Sequence, residues 1–159
     1  MRTVLYPGTF DPIHNGHLEI IETASRLFDK VTVAAMRNPQ KGEPLFSFED
    51  RKAMIEESTS HLGNVEVVQF ASLVVDLARE VGADVIVKGL RAVSDFESEM
   101  HQAHMNRKIS GVETLFIPSA TEHSFVASKL LREIARFGGD VSAMVSDAVV
   151  RSLKEKFGS

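Results

Sequence analysis

The stretch Thr3-Val4-Leu5-Tyr6-Pro7-Gly8-Thr9-Phe10-Asp11-Pro12-Ile13-His14-Asn15-Gly16-His17 governs how the rest of the chain is read. Thr3 to Tyr6 is a short apolar run of strand type. Pro7-Gly8 leads out of it, and His14 to His17 opens a segment of helical period in which Leu18, Ile21 and Phe28 share a stripe. A strand feeding a helix in this way is the first half of a βαβ unit, and the unit recurs. Further strands are expected at Val31–Met36, Val65–Phe70, Asp84–Lys88 and Thr114–Ile117. Their continuous apolarity suits strands covered on both faces. Between them Val74, Leu77, Ala78 and Val81 form a second helical stripe, and Ser47 with Asp50 ahead of Met54 and Ile55 marks another helix start. Helices are also expected from about Ser94 to Lys108, Val126 to Phe137 and Ser146 to Phe157. The order predicts an α/β fold: a single doubly wound, Rossmann-like domain over residues 1–159, with a five-stranded parallel sheet, C-terminal helices and a ligand site at the carboxyl ends of the strands.

Composition supports one globular unit. The chain has 159 residues, 43% of them hydrophobic, and 18 basic against 22 acidic side chains give a net charge of −4. Domains run to roughly 100–200 residues, so a second core is not expected. The absence of cysteine rules out disulfides and thiolate metal sites. No apolar run approaches the roughly 18 residues of a membrane span, and no signal-like segment opens the chain, so the expected location is cytoplasmic. A mildly acidic protein does not offer a general nucleic-acid surface, and positive charge must be local to a site.

Three constellations fall on the expected ligand rim. The glycine-rich phosphate motifs GxxxxGK[ST] and GxGxxG are absent. In their place His14-Asn15-Gly16-His17 puts two imidazoles on one face of a helix start, with Gly16 allowing a phosphate close to the backbone. The same pair can equally cap the helix or sit in a polar turn, and a zinc site lacks a third ligand nearby. The second constellation is cationic. Lys88 and Arg91 flank Gly89 just past a strand, where they can clamp a polyphosphate while the glycine gives clearance; Lys41 and Lys129 lie on other rim segments. Each is also consistent with a solvated surface charge. The third, Ser124-Phe125-Val126-Ala127-Ser128-Lys129, again precedes a helix, where hydroxyls and free N–H groups bind phosphate or cap. Met100 and Met105 are read as core or subunit contacts, and His101 and His104 as structural or surface residues.

Taken together these residues resemble the nucleotidyltransferase superfamily with its His-x-Gly-His signature, and within it the bacterial phosphopantetheine adenylyltransferases. The resemblance runs from Tyr6 to about Asp140, through Tyr6 to Pro12, Asn15-Gly16-His17, Lys41, Lys88-Gly89-Leu90-Arg91 with Asp95-Phe96-Glu97, and Ala103-His104-Met105-Asn106. It implies a fold of nucleotidyltransferase type and transfer of the adenylyl group of ATP to 4′-phosphopantetheine, giving dephospho-coenzyme A and pyrophosphate. It assigns Thr9, Lys41, Val74 and Lys88 to the phosphopantetheine side. To ATP it assigns Thr9, Phe10, His17, Gly89, Leu90, Arg91, Glu99 and the run His123, Ser124, Phe125, Val126, Ala127, Ser128 and Lys129. His17 becomes the donor to the α-phosphate, with Thr9 and Lys41 aligning the attacking phosphate. Mg²⁺ is expected to travel with ATP, without a protein carboxylate cage. A homohexamer and inhibition by coenzyme A are further implications. Two departures stand out: His14 where the family usually has threonine, and Ala127-Ser128-Lys129 where it usually has three serines. Transfer to another acceptor, such as nicotinamide mononucleotide or glycerol phosphate, and a nucleotide-binding regulatory role are the alternatives.

Overall fold

The computed structural model describes residues 1–37, 42–91 and 93–158, with the side chains of 93–95 excepted. Strands β1 (Thr3–Gly8), β2 (Lys30–Met36), β3 (Val65–Phe70), β4 (Val85–Leu90) and β5 (Glu113–Pro118) form one sheet in the order β3-β2-β1-β4-β5. All four pairings are parallel. Helices α1 (Asn15–Leu27), α2 (Phe48–Ser58), α3 (Val74–Glu80) and α4 (Val93–Ser110) are the crossovers. A 3₁₀ turn, Thr121–His123, precedes α5 (Ser128–Arg136) and α6 (Asp147–Phe157). The strand order reverses between β1 and β4, and at that switch point a doubly wound sheet opens a crevice beyond its carboxyl ends.

Side chains alternate across the central strands, as a two-residue period requires. Val4, Tyr6, Val31, Val33 and Ala35 join the core beneath α1, α2, α5 and α6, whereas Leu5, Ala34 and Ile86 face Val75, Leu77 and Ala78 of α3. Burying such a side chain contributes roughly 1.5–3 kcal/mol relative to exposure. Ser47 caps α2 by accepting the Asp50 N–H at 3.1 Å, as its sequence position suggested.

Two expectations need correction. The outer strands are not covered on both faces: Glu113 and Leu115 of β5 are exposed, and β3 is half-buried from Val65 to Val68, with Gln69 exposed and Phe70 buried. Having a neighbour on one side only, they require less apolarity than their composition implied. The buried stripe of α1 is Gly16, Ile20, Ile21 and Ala24, so of the expected Leu18, Ile21 and Phe28 only Ile21 belongs to it. Leu18 and Phe28 are only half-buried. The close approach of α1 to β4 explains Gly89, since a Cβ there would lie 3.1 Å from Ile20 Cγ1. That glycine therefore has a packing role between helix and sheet.

Candidate active site

The loop from β1 to α1 is held from several directions. Phe10 has φ 51°, in the left-handed region that a residue with a side chain seldom occupies. Its buried ring packs edge-on against Tyr6 at 5.4 Å and His17 at 4.8 Å. Packing therefore accounts for the side chain of a residue expected to meet ATP. The Asp11 carboxylate accepts the Leu45 and Phe46 N–H groups at 2.7 and 2.9 Å. Arg51, buried despite its charge, donates to the carbonyls of Phe46, Thr9 and Met36 at 3.2, 2.8 and 3.0 Å. It thereby ties the ends of β1 and β2 to the segment before α2. From α5, Ser128 Oγ donates to the Pro12 carbonyl at 2.8 Å and Arg132 to the Asp11 carbonyl at 2.7 Å.

The two histidines form one unit. His14 is the N-cap of α1, and its Nδ1 accepts the Gly16 and His17 N–H groups at 3.0 and 3.4 Å. In return the His14 backbone N–H donates to His17 Nδ1 at 3.2 Å, which completes a capping box built of imidazoles. The rings stack with centroids 3.7 Å apart. Because both Nδ1 atoms accept, each neutral ring carries its proton on Nε2. Burial, with Arg91 and His123, pushes the His14 pKa down to about 3. Burial and the His14, Arg91 and Lys88 charges push that of His17 well below the usual imidazole value. At neutral pH His17 is thus an uncharged N–H donor with a fixed tautomer. The capping arrangement that the sequence offered as one alternative is present. At Gly16 a Cβ would lie 2.8 Å from His14 Cε1, so the glycine gives room to the His14 ring.

Two cavities open at the strand ends. The larger, about 830 Å³, is lined by Thr9, Phe10, His14, His17, Arg91, Ala127, Ser128 and Lys129, and also by Arg132 and Arg136. The smaller, about 490 Å³, is lined by Val74, Lys88 and Glu99 among others. Met36 belongs to both walls. The expected residues therefore divide into two groups: Glu99, assigned to ATP by resemblance, lies in the smaller cavity with its carboxylate 3.5 Å from Lys88 Nζ. Gly89, Leu90, His123, Ser124, Phe125 and Val126 line neither cavity. Val126 offers its carbonyl to Arg91 Nη1 at 2.7 Å, which joins the end of β4 to the approach to α5. Ser128 lends its hydroxyl to Pro12, while the Ala127 N-cap leaves the first turn of α5 without a side-chain cap. Lys41 lies outside the described residues, as does the Asp95 side chain.

Several residues escaped the sequence reading. Arg132 and Arg136 follow Ser128 at intervals of four, a spacing that puts all three on one helical face toward the larger cavity. Glu19 in α1 accepts the Ala120 N–H at 2.8 Å and pairs with His123 Nδ1 at 2.7 Å, which fastens the segment after β5 to α1. Among the described residues no cluster of three or more histidine, aspartate or glutamate side chains could hold a metal ion. None of their helices is long and apolar enough to cross a membrane.

A cytidylyltransferase-like family model matches residues 5–134. A phosphopantetheine adenylyltransferase of Synechococcus sp. (strain JA-2-3B'a(2-13)) is 54% identical over 154 residues, covering 96% of each chain. The chain belongs to the phosphopantetheine adenylyltransferase family. Another member, from Gloeobacter violaceus (strain ATCC 29082 / PCC 7421), is 51% identical over 96% of this chain and 95% of its own. Solved structures extend the family's fold further. A protein of Vibrio parahaemolyticus described as a candidate nicotinate-nucleotide adenylyltransferase superposes with TM-score 0.68 over 96% of this chain and 99% of its own, at 16% identity. The lipopolysaccharide core biosynthesis protein of Thermoplasma volcanium GSS1 gives TM-score 0.56 over 76% and 97%, at 24% identity. At such identities the likeness concerns architecture alone.

Proposed function

We propose that the protein transfers the adenylyl group of ATP to 4′-phosphopantetheine, releasing pyrophosphate and forming dephospho-coenzyme A, a step of coenzyme A biosynthesis. The observation that carries this reading is His17 in the wall of the larger cavity with its Nδ1 engaged by the His14 N–H, beside a second cavity that shares Met36. An acceptor phosphate oxygen attacks the α-phosphorus; the new P–O bond forms as the bond to the bridging α,β-oxygen breaks, and that oxygen leaves with pyrophosphate. The attacking phosphate is already ionised, so no strong base is required. Alignment and stabilisation of charge at the α-phosphoryl oxygens are what the protein supplies. A donor held neutral by its surroundings serves that purpose without itself losing a proton.

In this reading ATP occupies the larger cavity, where Arg91, Lys129, Arg132 and Arg136 answer the charge of the triphosphate. Thr9 and Lys41 align the acceptor phosphate, and the pantetheine arm enters the smaller cavity past Lys88 and Val74. Mg²⁺ enters as part of the MgATP substrate. Assembly as a homohexamer, inhibition by coenzyme A and a cytoplasmic location are carried from the family resemblance. The exposed apolar side chains Leu130, Ile134 and Phe137 of the α5 region support assembly.

The test is incubation with MgATP and 4′-phosphopantetheine, with nicotinamide mononucleotide and glycerol phosphate as competing acceptors. Dephospho-coenzyme A by mass spectrometry with matching pyrophosphate release is expected. Folded protein that makes no such product, or that prefers another acceptor, overturns the reading.

A further inference from the structure

Residues 119–127 run from the end of β5, across the start of α1, to the wall of the larger cavity, where Ala127, Ser128 and Lys129 stand. Bonds within this segment, from the His123 N–H to Ala120, the Ser124 N–H to Thr121 and the Val126 N–H to His123, fix its shape but not its place. Its two ends are tied to the end of β4: the Ser119 N–H donates to the Leu90 carbonyl at 2.8 Å, and Arg91 holds the Val126 carbonyl. Between those ties lies Glu19. One carboxylate oxygen accepts the Ala120 N–H at 2.8 Å, and the other is 2.7 Å from His123 Nδ1. Gly16 and Glu19, three apart, share a face of α1. The segment lies along that face, since a Cβ at Gly16 would come within 3.5 Å of the His123 carbonyl oxygen.

An exposed ion pair contributes little. This one is partly buried, where water competes less, and it engages both oxygens of one carboxylate, one of them by the main chain. His123, which the resemblance assigns to ATP, lines neither cavity, and its Nδ1 is spent on Glu19. We propose that Glu19 is a positioning residue for nucleotide binding, whose carboxylate sets the 120–127 segment so that Ala127, Ser128 and Lys129 face the larger cavity, with His123 as the second point of attachment. This rests on ATP occupying the larger cavity and deepens that reading. Without the carboxylate the segment samples placements that leave the cavity wall incomplete, and the apparent affinity falls with the fraction that stays competent. Because α1 also carries His17, the attachment refers the nucleotide's wall to the helix that holds the proposed donor to the α-phosphate.

The experiment compares the parent with Glu19→Ala, Glu19→Gln, His123→Ala and the double variant of both alanines, titrating each with MgATP and separately with 4′-phosphopantetheine by calorimetry and recording Tm. Glu19→Ala should bind MgATP about threefold to tenfold more weakly, as when the competent fraction falls to between about a third and a tenth. Its affinity for 4′-phosphopantetheine should be unchanged. Glu19→Gln should recover most of the loss, because its amide oxygen accepts the Ala120 N–H and its amide N–H donates to Nδ1 of a neutral His123 ring. His123→Ala leaves Ala120 attached and should show a smaller loss, again for MgATP alone; it tests the inference whether or not Glu19→Ala folds. The double variant should bind MgATP no more weakly than Glu19→Ala, since both substitutions undo one attachment. Full additivity would mean that His123 meets ATP directly, and overturns the inference. So does parent-like MgATP binding by Glu19→Ala, or a fall in Tm with matching losses for both ligands. A parent that makes dephospho-coenzyme A while Glu19→Ala binds MgATP normally leaves the reaction standing and removes only this role. A parent that does not bind MgATP overturns both.

Discussion

Acid should loosen this fold through the histidine pair, and His14→Asn isolates the effect. His14 is 4% exposed, and burial, with the Arg91 and His123 charges, brings its pKa down to about 3. The unfolded chain restores the ordinary value of about 6.5. Between those values the unfolded state binds more protons, so stability is complete above about pH 6.5 and is lost as pH falls through the window toward 3. For one histidine the linkage relation gives a loss of about 2 kcal/mol between pH 7 and pH 5. Asparagine is an equally good N-cap and does not titrate. His14→Asn should therefore lose about 2 kcal/mol less than the parent over the same interval, as read from urea unfolding at both pH values. The histidines that do not touch His14 are common to both proteins and cancel. The His17 pKa is lowered first by burial and then by the His14, Arg91 and Lys88 charges. Equal losses in the two proteins would show that His14 is not held neutral and that the imidazole capping box is misread.

The other expectations concern the walls of the larger cavity. His17→Ala removes the N–H aimed at transition-state charge, so kcat should fall about 10²–10³-fold while the Kd for MgATP changes little; normal turnover at saturation would move His17 to ground-state binding. Arg51→Met strands the carbonyls of Phe46, Thr9 and Met36, and chemical unfolding should record a loss of about 3 kcal/mol, since one buried and two partly buried acceptors lose their shared donor. Lys129→Ser should weaken MgATP binding about two- to fivefold at low salt, and the difference should vanish as salt rises, because screening removes exposed charge pairs. Affinity equal to the parent at low salt would make Lys129 a surface residue.

The strand order of use and the rim of the sheet were legible because the central strands are buried from both sides and so read as uninterrupted apolar runs. Legibility faded where burial is one-sided. Leu115 is apolar yet exposed at the sheet edge, and Leu18 sits beside a stripe it does not belong to. Glycines were the most ambiguous letters: Gly16 and Gly89 lie in site motifs, but the nearest obstacles to a Cβ are the His14 ring and Ile20. Arg51 could not have been found from its neighbours. An arginine in the first turns of a polar helix reads as solvated, and only the assembled sheet gathers three carbonyls around it. Conversely, His17, Arg91 and Lys129, which the sequence placed on the expected ligand rim, all line the larger cavity.

Met36, at the end of β2, is a partition with an occupant expected on either side. In the proposed reaction a covalent bond is made across it. The adenylyl group and the pantetheine arm arrive as separate molecules, each surrendering its own freedom of motion, but depart as one. For that joined molecule the second cavity is engaged at an effective concentration set by a short tether rather than by the solution. In that reading grip on the product exceeds grip on either of its halves. The same partition supplies a drafting rule for inhibitors: a ligand bridging Met36 gains avidity that no occupant of one chamber can reach.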